Sequence, residues 1–370
     1  MTGRQTRPVT RRQVLRGSGG LLAGAAALTL APELLSACAT QKPSAGGGTS
    51  PGGSQTLSFA YQPGFSYGLF YVAQAKGWLK RAGVDLNPMT LFTDGSVQVD
   101  ALLNNNFAAS VQGFVPVLTA AAAGQPVKII DVVDNSAQTY TILGKDSIDS
   151  VPALAGKTVG VSLGTNYDYF LVKALAKYGM TSSDVQVVNF PDPAKAQSAF
   201  IAGRLDAIVP ITTNRQAILA QDKGARLVFS DTQFTQAPNP SSSPLAIYDL
   251  LVTTSGALAS HKTALTSLMR VFHTQVRNYV ASPATLPQAV DALYEWQTNV
   301  VKAQVTKAEI QTNIAEFDFY SPAEVRQIVA GGELKDSLTS VSEFLMSSKV
   351  LTKMPDVGGA IDSSLVSAIA

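Results

Sequence analysis

One cysteine and two histidines are all the thiol and imidazole chemistry that this 370-residue chain contains. Cys38 has no second thiol with which to form a disulfide or share a metal. As a nucleophile it would sit beside a Gly/Ser tract too flexible to hold a base against it. His261 and His273 lie twelve residues apart in one helical pattern, about three turns of helix, which is too far to grip one ion. They read as solvated or helix-packing positions. The runs "DVVDNS" and "FDFY" offer carboxylates, but no spacing marks a general acid–base pair. Neither a G-x-S-x-G nucleophile elbow nor a phosphate-cradling glycine loop occurs, since the Gly run at 46–53 belongs to a linker. The expectation is binding without turnover, with no cofactor and no metal.

Polar residues at four turns carry that expectation. "LFTDGSVQ" supplies Gly95 and Ser96, and "SVQGFVP" supplies Gln112, Gly113 and Phe114. "VSLGTNYDYF" supplies Gly164, Thr165, Asn166 and Tyr167, and "VPITTNRQ" supplies Thr212 and Thr213. Each turn follows a strand pattern and opens a helical one, where main-chain N–H groups and the positive end of the helix dipole receive a ligand's polar group. The same residue types are ordinary helix N-caps, so each single position reads both ways. The aromatic segment "YQPGFSYGLFY" turns at Pro63 and Gly64, placing Tyr61, Gln62, Phe65 and Tyr67 as cleft walls, with Phe70 and Tyr71 as core. Asn135 joins the candidate contacts, while Trp78 and Trp296 read as packing residues.

The elements that must position these residues alternate. Strand patterns run through "TLSFAY", "VDLNPMTLF", "AASVQG", "VKIIDVV", "TYTILGK", "TVGVS", "VQVVNF", "DAIVP" and "RLVFS". Between them, amphipathic stretches such as "YFLVKALAKYG" and "PAKAQSAFIAG" stop at Gly179 and Gly203. Such alternation predicts α/β sheets with mainly parallel strands. From Ala257 onward the pattern is almost purely helical. "VPALAGKTVGVSLGTNYD" reads as a fresh start, and the Pro/Ser-rich loop at 232–244 precedes a strand that closes that section. The reading is a second lobe, 146–245, inserted into a first lobe built from 55–145 and 246–370, with crossings near 139–145 and 245–254 acting as a hinge.

The N-terminal region has its own logic. Arg4, Arg7, Arg11, Arg12 and Arg16 precede a Gly/Ala-rich apolar run, and the first acidic residue is Glu33. That is the layout of an export signal over residues 1–37, too short before Pro32 and Glu33 to span a membrane. Arg11-Arg12 followed by Val14 and Leu15 resembles a twin-arginine signal, and "LSAC" resembles a bacterial lipobox with Cys38 as the lipidated residue. Residues 38–54 then form a lipidated cysteine and a Gly/Ser tether, a flexible chain of roughly 20–25 Å end to end. Removing the leader's five Arg and one Glu from 28 basic and 26 acidic residues leaves 23 against 25. A net charge near −2 without a basic cluster gives no nucleic-acid surface.

"LFYVAQAKGWLKRAGVDL", "DGSVQVDALLNNNFAASVQGFVPVLTAAAAGQPVKII", "LAGKTVGVSLGTNYDYFLVKALAKYGMTSSDVQVV" and "AFIAGRLDAI" resemble solute-binding proteins of bacterial ABC importers. The similar group is the aliphatic sulfonate, taurine, nitrate and thiamine-precursor type. The resemblance implies a type II periplasmic-binding fold, two α/β lobes closing on a ligand, and a monomer that delivers solute to a permease driven by a cytoplasmic ATPase. For the ligand it points to a small organic sulfonate or similar oxyanion, with a thiamine-pyrimidine precursor or other flat heteroaromatic as the alternative. A thiamine-pyrimidine synthase shares this fold but uses a Cys-rich motif, and this chain has no cysteine outside its anchor.

Overall fold

The computed structural model describes residues 54–210, 212–234 and 246–369, with the side chains of Thr212 and Thr213 left outside the description. The export signal, Cys38 and most of the tether and of the 232–244 loop lie outside the described residues.

The first sheet is laid down by β1 (Gln55–Tyr61), β2 (Val84–Leu91), β3 (Ala109–Gly113) and β4 (Val127–Asn135). Between these strands run α1 (Phe65–Ala75), α2 (Trp78–Arg81), α3 (Gly95–Leu103) and α4 (Phe114–Ala122). The chain then builds a second sheet from β5 (Thr141–Lys145), β6 (Thr158–Val161), β7 (Gln186–Asn189), β8 (Ala207–Ile208) and β9 (Ala225–Ser230). Its helices are α5 (Asn166–Lys177), α6 (Pro193–Ile201) and α7 (Thr212–Gln221). With β10 (Tyr248–Thr254) the chain returns to the first sheet. A helical tail follows: α8 (Ser255–Val271), α9 (Arg277–Ala281), α10 (Leu286–Trp296) and α11 (Lys307–Ile314), a two-residue β11 (Asp318–Phe319), then α12 (Pro322–Ala330), α13 (Glu333–Ser347) and α14 (Val357–Ala360).

The strand orders are β11-β4-β10-β3-β1-β2 and β7-β6-β8-β5-β9. Each sheet is less parallel than the alternation predicts. β1 pairs in parallel with β2 and β3, and β6 with β7 and β8. The two strands that follow the crossings, β5 and β10, run antiparallel to their neighbours. A strand entered directly from another sheet lacks the helical crossover that parallel pairing requires. β5 also places Thr141–Lys145 inside the second sheet, where the sequence reading assigned them to the crossing.

Local chemistry explains the helix ends. α5 and α6 stop two residues before Gly179 and Gly203, which take φ of +72° and +71°, the left-handed turn that frees the chain from the helix. Apolar faces from both flanks merge into one large core that includes Leu57, Phe59, Val111, Leu250, Leu293 and Trp296. A Cβ at Gly68 would overlap the indole of Trp296, so α1 can lie against α10 only with glycine there.

Candidate binding cleft

Between the two sheets lies a cavity of about 70 Å³. On the first-sheet side its lining includes Gln62, Phe65, Ser66, Tyr67, Gly95, Gly113 and Asp249. Tyr140, Ser162, Thr165, Asn166 and Tyr167 line it from the crossing and the second sheet, and Phe317 from the helical tail.

The helix starts are arranged unequally. Asp94 caps α3, its carboxylate accepting from the Ser96 and Val97 amides at 2.8 and 3.1 Å. Thr165 caps α5, its hydroxyl accepting from Tyr167 N and donating to the Ser162 carbonyl. Neither α1 nor α4 has a side-chain cap at its own N-cap residue, Gly64 or Gly113. For α4 the missing partner comes from the other sheet, because Asn166 Oδ1 accepts from Val115 N at 3.1 Å. Gly113 is what allows this approach, since a Cβ there would overlap the Asn166 amide. The amide's other end, Nδ2, faces the cavity with no hydrogen-bond partner within the protein. A second tie crosses between the sheets: Arg215 on α7 donates to Asn313 Oδ1 at 3.2 Å and pairs with Glu316 at 2.5 Å.

Aromatic rings wall the cavity. Tyr140 and Tyr167 lie 4.8 Å apart at 39°, a close tilted pair offering a face to a flat or apolar group.

The floor is acidic. Tyr67 donates to Asp249 Oδ1 at 2.6 Å, and Asp134 sits directly across the β4–β10 ladder from Asp249. Both carboxyls are buried, Asp134 completely. Burial pushes Asp249 up to about 6. Burial, then the Asp249 charge, hold Asp134 well above the usual carboxylate range. Burial and the Asp249 charge likewise raise the Tyr67 phenol well above its ordinary value. No Lys, Arg or His side chain lines the cavity among the described residues.

Of the sequence candidates, Gln62, Phe65, Tyr67, Gly95, Gly113, Thr165, Asn166 and Tyr167 come together here. Others do not. Tyr61 is core: its ring packs against Phe59, two residues back on the same strand face, and against Trp296. Phe114 is buried edge-on against Tyr169 of α5, 5.1 Å between centroids. Gln112 is fully buried between neighbouring strands, outside the lining. Ser96 is exposed outside the lining, and Gly164 spends its φ of +70° and its N–H, bonded to Asp168, on shaping the turn. Asn135 turns away, its Oδ1 accepting from the amides of Ala137 and Ile247. The Thr212 and Thr213 side chains lie outside the described residues. Of the histidines, His273 is a packing residue, with Nε2 2.8 Å from Asp131 and Nδ1 2.9 Å from the Tyr320 carbonyl oxygen.

Sequence reasoning missed Asp249, Ser66 and Tyr140. A signal was present for the first, an acid inside the otherwise apolar "LAIYDLLVTT", and a buried acid in a strand asks for a partner.

Comparison with known proteins fits this geometry. An alkanesulfonate-binding protein, SsuA, from Xanthomonas axonopodis pv. citri, solved bound to MOPS, superposes with a TM-score of 0.67 at 18% identity, over 84% of this chain and 98% of that one. The periplasmic aliphatic sulphonate binding protein SsuA of Escherichia coli gives 0.66 at 17%, over 83% and 92%. These likenesses establish the periplasmic-binding-protein fold. A Brucella abortus protein named as a binding protein is 32% identical over 136 residues, 37% of this chain; the alignment spans 41% of that relative's length. The profile of the NMT1/THI5 like family matches residues 65–285, well over half of the sequence, and the chain belongs to that family.

Proposed function

We propose that this protein is the extracytoplasmic solute-binding component of an ABC importer. The observation that carries the reading is the cavity between the sheets, lined by residues of both, so that a bound solute contacts both sides at once. A ligand that touches both lobes favours their closure, whereas one held by a single lobe does not. The lobes of this proposal are residues 55–140 with 246–370, and 141–234, moving about the two crossings. Cys38, lipidated, anchors the chain to the membrane through its tether, and the closed form is read by a permease whose ATPase partner supplies the energy. The chain itself binds without turnover.

For the ligand, a small sulfonate-like oxyanion is supported by the solved proteins of the same fold and by the free Asn166 Nδ2 beside the α4 start. A second reading, a flat heteroaromatic, is favoured by the Tyr140–Tyr167 ring pair. Small-angle scattering with and without a solute found by titration calorimetry tests the proposal. Compaction on binding is expected, and an unchanged radius of gyration with a tightly bound solute would refute closure. Cell fractionation of Cys38→Ala tests the anchor, with release from the membrane expected.

A further inference from the structure

The floor of the cleft holds more acid than an oxyanion site needs. Asp249 lines the cavity, and Asp134 stands behind it across the ladder, fully buried and within reach of Asp249 and Ser66. Asn166 Nδ2, on a lining residue only 2% exposed, is without a partner across the cavity. Buried polar atoms are nearly always paired, so an unmatched buried amide facing a buried acid pair across one cavity marks a place where a ligand supplies the missing partner. The chemistry is uneven: a carboxyl pair on the floor and one amide N–H group opposite it. Arg215 reaches the lining only at the Thr139 carbonyl, and Glu316 neutralises it. The other ionisable groups facing the pair, Tyr67, Tyr140 and Asp318, add no positive charge.

We propose that the Asp134–Asp249 pair is a cation subsite, and that the captured solute carries a protonated amine or amidine directed at it. The proposal rests on the solute-binding reading and deepens it. The opposite end of the ligand meets Asn166 Nδ2, so an oxyanion there and a protonated nitrogen on the floor are compatible in one zwitterion. A protonated nitrogen supplies the countercharge to the acidic pair that no side chain in the lining supplies.

Calorimetry and thermal shift on the full-length protein at pH 7.5 test it with charge-matched probes. These are benzylamine against benzyl alcohol, benzamidine against benzamide, and aminoalkanesulfonates against their hydroxy counterparts. The cationic member of each binding pair should bind at least tenfold more tightly. Asp249→Asn should bring the ratio of cationic to uncharged affinity to within about twofold of one, and Asp134→Asn should reduce that ratio. If hydroxy or neutral members bind as tightly as their aminated partners, the cation subsite is wrong and the solute-binding reading stands. If no probe of any charge binds, the inference falls with the reading beneath it.

Discussion

The two sheets are built alike and packed differently. The first is buried on both faces by helices from both ends of the chain, in a core that runs through Leu57, Val111, Ile129, Leu250 and Leu334. The second shares one face with that core, through Val161, Phe170 and Phe229, but its other face rests on a separate cluster of six buried residues around Phe200. Its outer strands show apolar side chains to water, Val188 at 36% and Leu227 at 52% exposure. The difference falls where the site divides its labour. Buried carboxylates, costly to desolvate, sit in the heavily packed sheet, while the side that reaches over the ligand is the lightly packed one.

Phe200→Ala attacks that contrast most directly. Emptying the centre of a six-residue cluster should cost about 3–5 kcal/mol. Hydrogen exchange should quicken throughout β5–β9 well before β1–β4. Equal acceleration in both sheets would show one cooperative unit and erase the distinction.

Asp249→Asn probes the packed side. Its carboxyl holds a proton up to about 6 in the folded chain, against about 3.9 for a free Asp. The unfolded state therefore releases its proton first, and folding stability falls as pH rises between about 4 and 6. The cost at pH 7 is of order 1–3 kcal/mol. The amide variant should gain stability at pH 7.5 and little at pH 4, read from urea melts at both. An equal gain at both pH values would mean that the carboxyl is not strained. His273 contributes a slope of the same sign. Burial lowers its pKa, but the Asp131 charge and hydrogen bonds more than offset this and leave it raised. Its stabilisation is thus full below about 6.5 and lost as pH rises through the folded value. Because His273 is unchanged in the variant, the comparison isolates the Asp134–Asp249 pair from it.

The smallest effect belongs to the reaching side. Thr165→Ala removes the α5 cap and the bond to the Ser162 carbonyl, and should lower unliganded stability by about 1 kcal/mol. If the turn also holds ligand, affinity should fall roughly three- to tenfold. Calorimetry paired with melting curves reads both, and unchanged affinity with a lowered melting point would make the turn purely structural.

The sequence by itself determined the elements and the starts of several helices, because alternating apolar runs, N-cap residues and left-handed glycines act over a few neighbours. "TVGVS" is a strand and Thr165 caps a helix for reasons contained within ten residues. Tertiary structure alone decided what those elements bring together. Asp134 and Asp249 meet only because β10 returns between β3 and β4. Asn166 caps α4 only because the second sheet folds over Gly113. Tyr61, placed at the cleft by its neighbours in sequence, went to the core because Trp296, from a distant helix, fills the space beside it. Local patterns fix backbone shape through short-range sterics and hydrogen bonds, whereas burial and pairing of charge depend on contacts between residues far apart along the chain.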